Sequence, residues 1–444
     1  MKRYSRHRKP LQTAPQTAEI TALSHDGRGI THINGKITFI DNALPGEKVV
    51  FHYTLCRGKY DEGRATEIII ASPERVTPAC QHFAICGGCA LQHMNKATQL
   101  NLKQQMFLEQ LQHFGKIQPQ QILAPLTSAE WGYRRKARLG AKFVIKKQAV
   151  LVGFREKNGR YLADLNRCEV LHPSVGHAIP ALKKLIAGLA AFQHIPQIEV
   201  AVGDNVTALV FRHMVDLSQT DKEQLIAFGK THQFNIYVQP NKPLPMELIY
   251  CQQEKLHYSL PEYSVTLEFD PTGFIQVNAD LNQQMVKRVI ELLAPNENDR
   301  ILDLFCGLGN FTLPLARFGK EIIGIEGDAE LIQLAQKNAA ANKIGNAHFY
   351  QADLTTDFTH SSWAKQPFDK ILLDPPRTGA LETIPQIVKF NAKRIVYVSC
   401  NPATFARDAG ELINHGYQLT QTGIMDMFPH TQHVEAIGLF EKNV

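Results

Sequence analysis

The chain has 444 residues, too many for one compact core, so two to four domains are expected. Its hydrophobic content of 44% is ordinary for a globular protein, and no apolar run approaches the roughly twenty residues that span a bilayer. With no apolar segment behind the basic first ten residues and eight cysteines in the chain, a soluble cytoplasmic protein with reduced thiols or a metal site is expected, not a disulfide framework.

Net charge is only +6, from 48 Lys and Arg against 42 Asp and Glu, so placement matters more than size. Lys2, Arg3, Arg6, Arg8 and Lys9 crowd the N-terminus, as a solvated tail or a polyanion-binding arm would. From residue 19 to 70 short apolar runs alternate with turns. Asn34-Gly35 ahead of Ile37-Thr38-Phe39-Ile40 is a hairpin signal, and Leu44-Pro45-Gly46-Glu47 precedes Val49-Val50-Phe51. A small OB-like β-barrel over 12–72 fits this pattern.

Cys80, Cys86 and Cys89 follow in a Gly-containing loop, with Cys168 downstream. Four thiolates suit either a zinc ion or an iron–sulfur cluster. Zinc sites usually come as two short-spaced pairs, so three close cysteines plus one distant one favour [4Fe–4S], with zinc the alternative. Residues 95–114 read as a partly amphipathic helix. Trp131-Gly132-Tyr133-Arg134-Arg135-Lys136-Ala137-Arg138 interleaves aromatic and basic side chains, either to stack bases and hold phosphates or as a charged strand with one buried aromatic face. The whole of 73–267 reads as a central α+β domain, with a helix near 179–192.

Residues 268–444 read as the last domain, and from about Asp280 onward the pattern becomes regular. Ile301-Leu302-Asp303-Leu304, Ile322-Ile323-Gly324-Ile325, Ala347-His348-Phe349-Tyr350, Ile371-Leu372-Leu373 and Ile395-Val396-Tyr397-Val398 are apolar strands separated by helical stretches, the signature of a doubly wound, Rossmann-like α/β sheet that is parallel. Ligands of such sheets lie beyond the carboxyl ends of the strands. The first turn, Cys306-Gly307-Leu308-Gly309-Asn310, lacks the third glycine of a dinucleotide fingerprint, which counts against nicotinamide and flavin cofactors. Glu326, Asp353 and Asp374 then end successive strands. A Gly-rich turn followed by a carboxylate at each strand end describes an S-adenosylmethionine pocket. Asp374-Pro375-Pro376-Arg377 lacks the aromatic residue that amino-group methyltransferases carry after their paired prolines, which points away from N-methylation.

Cys400 closes the last of these strands and opens a helix, with Asn401 a suitable N-cap and Pro402 suited to the first turn. A thiol at the positive end of a helix should have a lowered pKa and be nucleophilic. Together with the missing aromatic after Asp374-Pro375-Pro376, such a thiol points to C-methylation. Cys306, inside the Gly-rich turn, reads as packing.

These motifs, with Phe274-Ile275-Gln276-Val277-Asn278 and His433-Val434-Glu435, resemble the RNA uracil-C5 methyltransferases, specifically the 23S ribosomal type with a TRAM domain and an iron–sulfur cluster. The resemblance covers nearly the whole chain. It implies that Gln276, Phe305, Asn310, Glu326, Asp353 and Asp374 line the methyl-donor pocket, that Cys400 is the nucleophile and Glu435 the base, and that Cys80, Cys86, Cys89 and Cys168 hold [4Fe–4S]. It further implies 23S ribosomal RNA as substrate, with no membrane and no obligate protein partner. A transfer-RNA uridine methyltransferase and a non-catalytic RNA-binding assembly factor are the alternatives.

Overall fold

Asn34 and Gly35 both take positive φ, 52° and 78°, the geometry of a two-residue turn whose twist matches the strands it joins. Gly29–Ile33 therefore closes onto Lys36–Asp41, with Ile33 opposite Lys36. The computed structural model describes residues 11, 13–157, 159–241 and 245–442, so the basic arm over residues 1–10 lies outside the described residues. It divides the chain into two units, Met1–Met106 with His430–Gln432 and Phe107–Pro429 with His433–Val444.

The first unit carries a six-stranded sheet in the order Gln16–Glu19, Lys48–Cys56, Tyr60–Ile70, Lys36–Asp41, Gly29–Ile33, Ala22–Leu23. Ile40, Val49 and Phe51 are fully buried at its centre. Glu47, also buried, accepts the N–H groups of Leu44 (2.8 Å) and Ser72 (3.2 Å) and pairs with the Arg75 guanidinium. Burial alone would raise its pKa, but these donors outweigh it and hold the carboxyl below its usual range.

The second unit contains two large sheets. One orders Glu247–Tyr250, Phe234–Pro240, Thr207–His213, Gln197–Val202, Lys136–Val144 and Ala149–Gly153. The helix expected near 179–192 runs over Ile179–Gly188, followed by a 3-10 turn at Phe192–His194.

The other sheet holds all five expected strands: β1 (Arg300–Leu304), β2 (Glu321–Glu326), β3 (Ala347–Gln351), β4 (Lys370–Leu373) and β5 (Arg394–Ser399), joined by β6 (Tyr417–Met425) and β7 (Glu435–Lys442). Helix α1 (Ala279–Leu293) precedes β1, and α2 (Pro402–Asn414) follows β5. The sheet order is β3-β2-β1-β4-β5-β7-β6, with Gln121–Ile122 added beside β6. Alternate residues of β1, β2, β4 and β5 enter two different apolar clusters, Ile301, Ile322, Leu372 and Val396 on one face and Leu302, Ile323, Ile371 and Ile395 on the other. Burial on both faces is why these strands read as unbroken apolar runs.

The expectation of a parallel sheet is corrected at one edge, because β7 runs antiparallel to both β5 and β6. Only nine residues separate the end of β6 from the start of β7, too few for a parallel crossover with its helix.

Candidate active site

Reversal of β7 positions the site. Its first residue, Glu435, arrives where the parallel strands end. Ser399 pairs with Ala436, and one further step along that register sets Cys400 opposite Glu435. Asn401 caps α2, accepting the Ala403 N–H at 3.2 Å, with proline in the first turn as expected. One residue past β4, Asp374 donates its N–H to the carbonyl of Leu304, at the end of β1 (3.3 Å). Three residues far apart in sequence thus meet at the carboxyl edge.

The expected lowered pKa of Cys400 is corrected. Burial and the carboxyls of Glu435 and Asp374 raise it, and these outweigh the lowering effects of Arg377 and a backbone hydrogen bond. Ionising Cys400 is therefore harder than at an open helix N-terminus. Burial pushes Glu435 up to about 7. Asp374 is pushed up to about 8 by burial and then by Glu435. At neutral pH these carboxyls hold protons that ordinary surface acids would have lost, which suits them to proton transfer.

Phe305 takes φ of 65° as the chain leaves β1, a conformation that L side chains rarely adopt, with Gly307 at 56° and Gly309 at 98° beyond it. Glu326 ends β2 and accepts the N–H groups of Gly307 (3.2 Å), Gly327 (2.8 Å) and Asp328 (3.2 Å). It uses three of its roughly four acceptor positions, which leaves capacity for a ribose hydroxyl. Asp353 lies exposed just beyond β3, and the N–H and hydroxyl of Thr355 hold it at 2.9 and 2.6 Å. Gln276 is half-buried between the strand Val265–Phe269 and α1.

Asn310 is more committed than the sequence suggested. Its Oδ1 accepts from the Tyr258 hydroxyl and the Asn282 amide, each at 2.9 Å, and its own amide donates to Asn282 at 3.0 Å. Asn282 was detectable as the residue one turn after the α1 cap, Asn278; Tyr258 had no signal, being on the hairpin of Leu256–Leu260 with Val265–Phe269. Asp303 was also missed as a site group. It is fully buried and pushed up to about 7, first by burial and further by Asp374 and Glu326, against the hydrogen bonds from Thr312. Its Oδ2 accepts the Thr312 hydroxyl at 2.5 Å, while Oδ1 has no hydrogen-bond partner among the described residues. Cys306 is buried, its pKa raised well above the usual thiol value by burial and by the Asp303 and Glu326 carboxyls, which fits packing and not nucleophilic attack.

The basic-aromatic segment is less available to RNA than expected. Tyr133 is buried and donates its hydroxyl to the carbonyl of Pro429 at 3.0 Å. Lys136 points its ammonium at the Pro271 carbonyl, and burial lowers its pKa to about 8. Trp131 and Arg138 remain exposed. Cys80, Cys86 and Cys89 lie in a run of turns in the first unit, where Cys86 accepts the Gly88 N–H on sulfur at 3.4 Å, and Cys168 belongs to the second unit. Among the described residues no group of three or more His, Cys, Asp or Glu side chains is arranged to hold a metal ion.

A family model described as tRNA (Uracil-5-)-methyltransferase matches residues 200–443, and a TRAM domain model matches 14–66. The chain is 55% identical over 438 residues to the 23S rRNA (uracil(1939)-C(5))-methyltransferase RlmD of Nitrosococcus oceani, covering 98% of each chain. It is 49% identical over 440 residues to the protein of the same name from Alcanivorax borkumensis, covering 99% of each. The chain belongs to the RNA uracil-C5 methyltransferase family. Members of this family are S-adenosylmethionine-dependent enzymes. The solved tRNA (uracil-54, C5)-methyltransferase of Pyrococcus abyssi, in complex with S-adenosyl-L-homocysteine, shares the fold, with a TM-score of 0.72 over 96% of this chain and all of that one, at 24% identity.

Proposed function

We propose that the protein methylates C5 of a uridine in 23S ribosomal RNA, the position named for its relatives, uracil 1939, being the assigned target. The observation that supports this reading is the antiparallel register of β5 and β7, whose last pair, Ser399 with Ala436, leaves Cys400 and the buried Glu435 as the next residues along it. The residues also fit the donor: Glu326 keeps acceptor capacity for a ribose hydroxyl, and Oδ1 of the buried Asp303 has no hydrogen-bond partner among the described residues.

S-adenosylmethionine, when bound, supplies an electrophilic methyl group. Gln276, Phe305, Asn310, Glu326, Asp353 and Asp374 would line its pocket. Cys400 loses its proton and adds to C6 of the uracil, which makes C5 nucleophilic. Once C5 carries the methyl group, Glu435 takes the C5 proton, and the sulfur leaves as the ring recovers its double bond. A target base must leave its stack to reach a buried thiol. A ribosomal RNA substrate places the protein in the cytoplasm.

The deciding experiment uses methyl-labelled donor and a 23S fragment under denaturing electrophoresis. Glu435→Gln should accumulate a labelled protein–RNA complex, because an amide cannot accept the proton whose loss permits elimination, and Cys400→Ala should form none. Normal turnover by Cys400→Ala would show the wrong nucleophile. The division at 12–72, 73–267 and 268–444 into barrel, central domain and catalytic domain is part of the same reading, with the barrel adding RNA affinity and not chemistry.

We also propose a [4Fe–4S] cluster on Cys80, Cys86, Cys89 and Cys168, supported by their spacing and by the soft thiolate donor set. Anaerobically purified protein should be brown, with iron and sulfide in equal amounts; stoichiometric zinc without iron overturns this assignment.

A further inference from the structure

Asp408 takes no part in the chemistry above, yet it is fully buried on α2, eight residues beyond Cys400. Its Oδ2 accepts the N–H of Ala380 at 2.7 Å and the hydroxyl of Tyr397 at 2.6 Å. Its Oδ1 accepts Nε of Arg407 at 2.7 Å, and the same guanidinium donates from Nη2 to the carbonyl of Thr378 at 2.9 Å. Higher on the same helix, the Arg377 carbonyl accepts from Nδ2 of Asn401 at 3.0 Å and from the Thr404 hydroxyl at 3.4 Å. Residues 377, 378 and 380 are therefore all bonded to α2 or to a side chain on it. Gly379 fits the seam because it has no side chain. Its φ is 81°, and a Cβ there would stand 2.4 Å from Oδ2 of Asp408 and 2.6 Å from Nη2 of Arg407.

We propose that Asp408 is a positioning residue that clamps the backbone of the 374–380 loop onto the helix that opens just after Cys400, and so sets where the charges of that loop, Arg377 among them, stand relative to the sulfur. The groups that act on Cys400 are Glu435 and Asp374, which oppose its ionisation, and Arg377, which favours it. A buried carboxylate bonded by three separate donors, facing a glycine with no room for a methyl group, holds one arrangement and resists others.

The test reads Cys400 directly in the full-length protein, without RNA or donor, by following iodoacetamide alkylation of its peptide by mass spectrometry across pH. Asp408→Asn turns an amide N–H₂ toward the Arg407 guanidinium or toward Ala380, and Gly379→Ala forces the seam apart from the opposite side. Both should move the alkylation midpoint to higher pH and slow reaction at neutral pH by about 3- to 10-fold, as an ionisation displaced by half to one pH unit would. Leu412→Ala, on the same helix and fully buried, is the control: it should lower the melting temperature without moving the midpoint. An unmoved midpoint in Asp408→Asn and Gly379→Ala, with melting lowered as in the control, would reduce Asp408 to a structural residue and overturn the proposal. If Asp408→Asn does not fold, Tyr397→Phe, which removes one donor to Oδ2, is read in its place against the same two outcomes. The proposal rests on Cys400 as nucleophile, but the two fail separately: a wrong nucleophile shows as turnover by Cys400→Ala, with the alkylation shift intact.

Discussion

Glu435 is buried where its ionised form is costly, and that cost is what keeps it useful near neutral pH. As a base it must be ionised, so release of the methylated base should slow about tenfold for each pH unit below about 7. A single-turnover pH series on the wild type checks this; a flat profile down to pH 5 would remove Glu435 as the base. The same burial predicts an effect on stability. The folded pKa is raised, so the contribution of this group is fully present below about 4.5, the ordinary glutamate value, and is lost as pH rises through about 7. Glu435→Gln escapes that loss. Its unfolding free energy should match the wild type near pH 4 and exceed it by on the order of 3 kcal/mol at pH 8, measured by urea denaturation at both pH values.

At the scale of elements, the start of α2 shows how a local signal can be right while its consequence is reversed. Asn401 and Pro402 specify a helix start wherever they occur, and the structure forms it there. The helix end favours a thiolate, but burial and then two carboxyls delivered by β7 and the end of β4 oppose one, and neither carboxyl was a neighbour in sequence. Replacing Asn401 with Ala removes both the cap and the bond to the Arg377 carbonyl, so it should cost about 1 to 2 kcal/mol in denaturant unfolding. In the first unit Glu47 gathers Leu44, Ser72 and Arg75. Glu47→Ala leaves buried donors unanswered and should cost about 3 kcal/mol or more, seen as faster proteolysis of that unit. Cleavage at the wild-type rate would show that the carboxyl is dispensable.

Across the whole molecule, charge should act mainly through RNA affinity. The first ten residues carry Lys2, Arg3, Arg6, Arg8 and Lys9. If this arm lies along a phosphate backbone, truncating it should reduce the slope of log affinity against log salt by up to about 4, since every phosphate the arm no longer neutralises keeps its counterion. A slope equal to that of the intact chain would mark the arm as a solvated tail. Among the described residues no helix is long and apolar enough to cross a membrane.

The five parallel strands, the Asn34-Gly35 hairpin and the helix start at Pro402 were determined by the sequence itself, because each depends on residues within a few positions of one another: continuous apolar runs, a turn needing positive φ, a missing N–H. The family was legible for a related reason, its motifs being local strings. Tertiary structure decided the rest. The reversal of β7 turned Glu435 toward Cys400, packing buried Tyr133 and half-buried Lys136 in a segment that read as an RNA surface, and Asp303 and Asp408 became fully buried only once the sheet closed around them. Burial and the field of distant charges are set by residues tens to hundreds of positions apart, and no local pattern encodes either one.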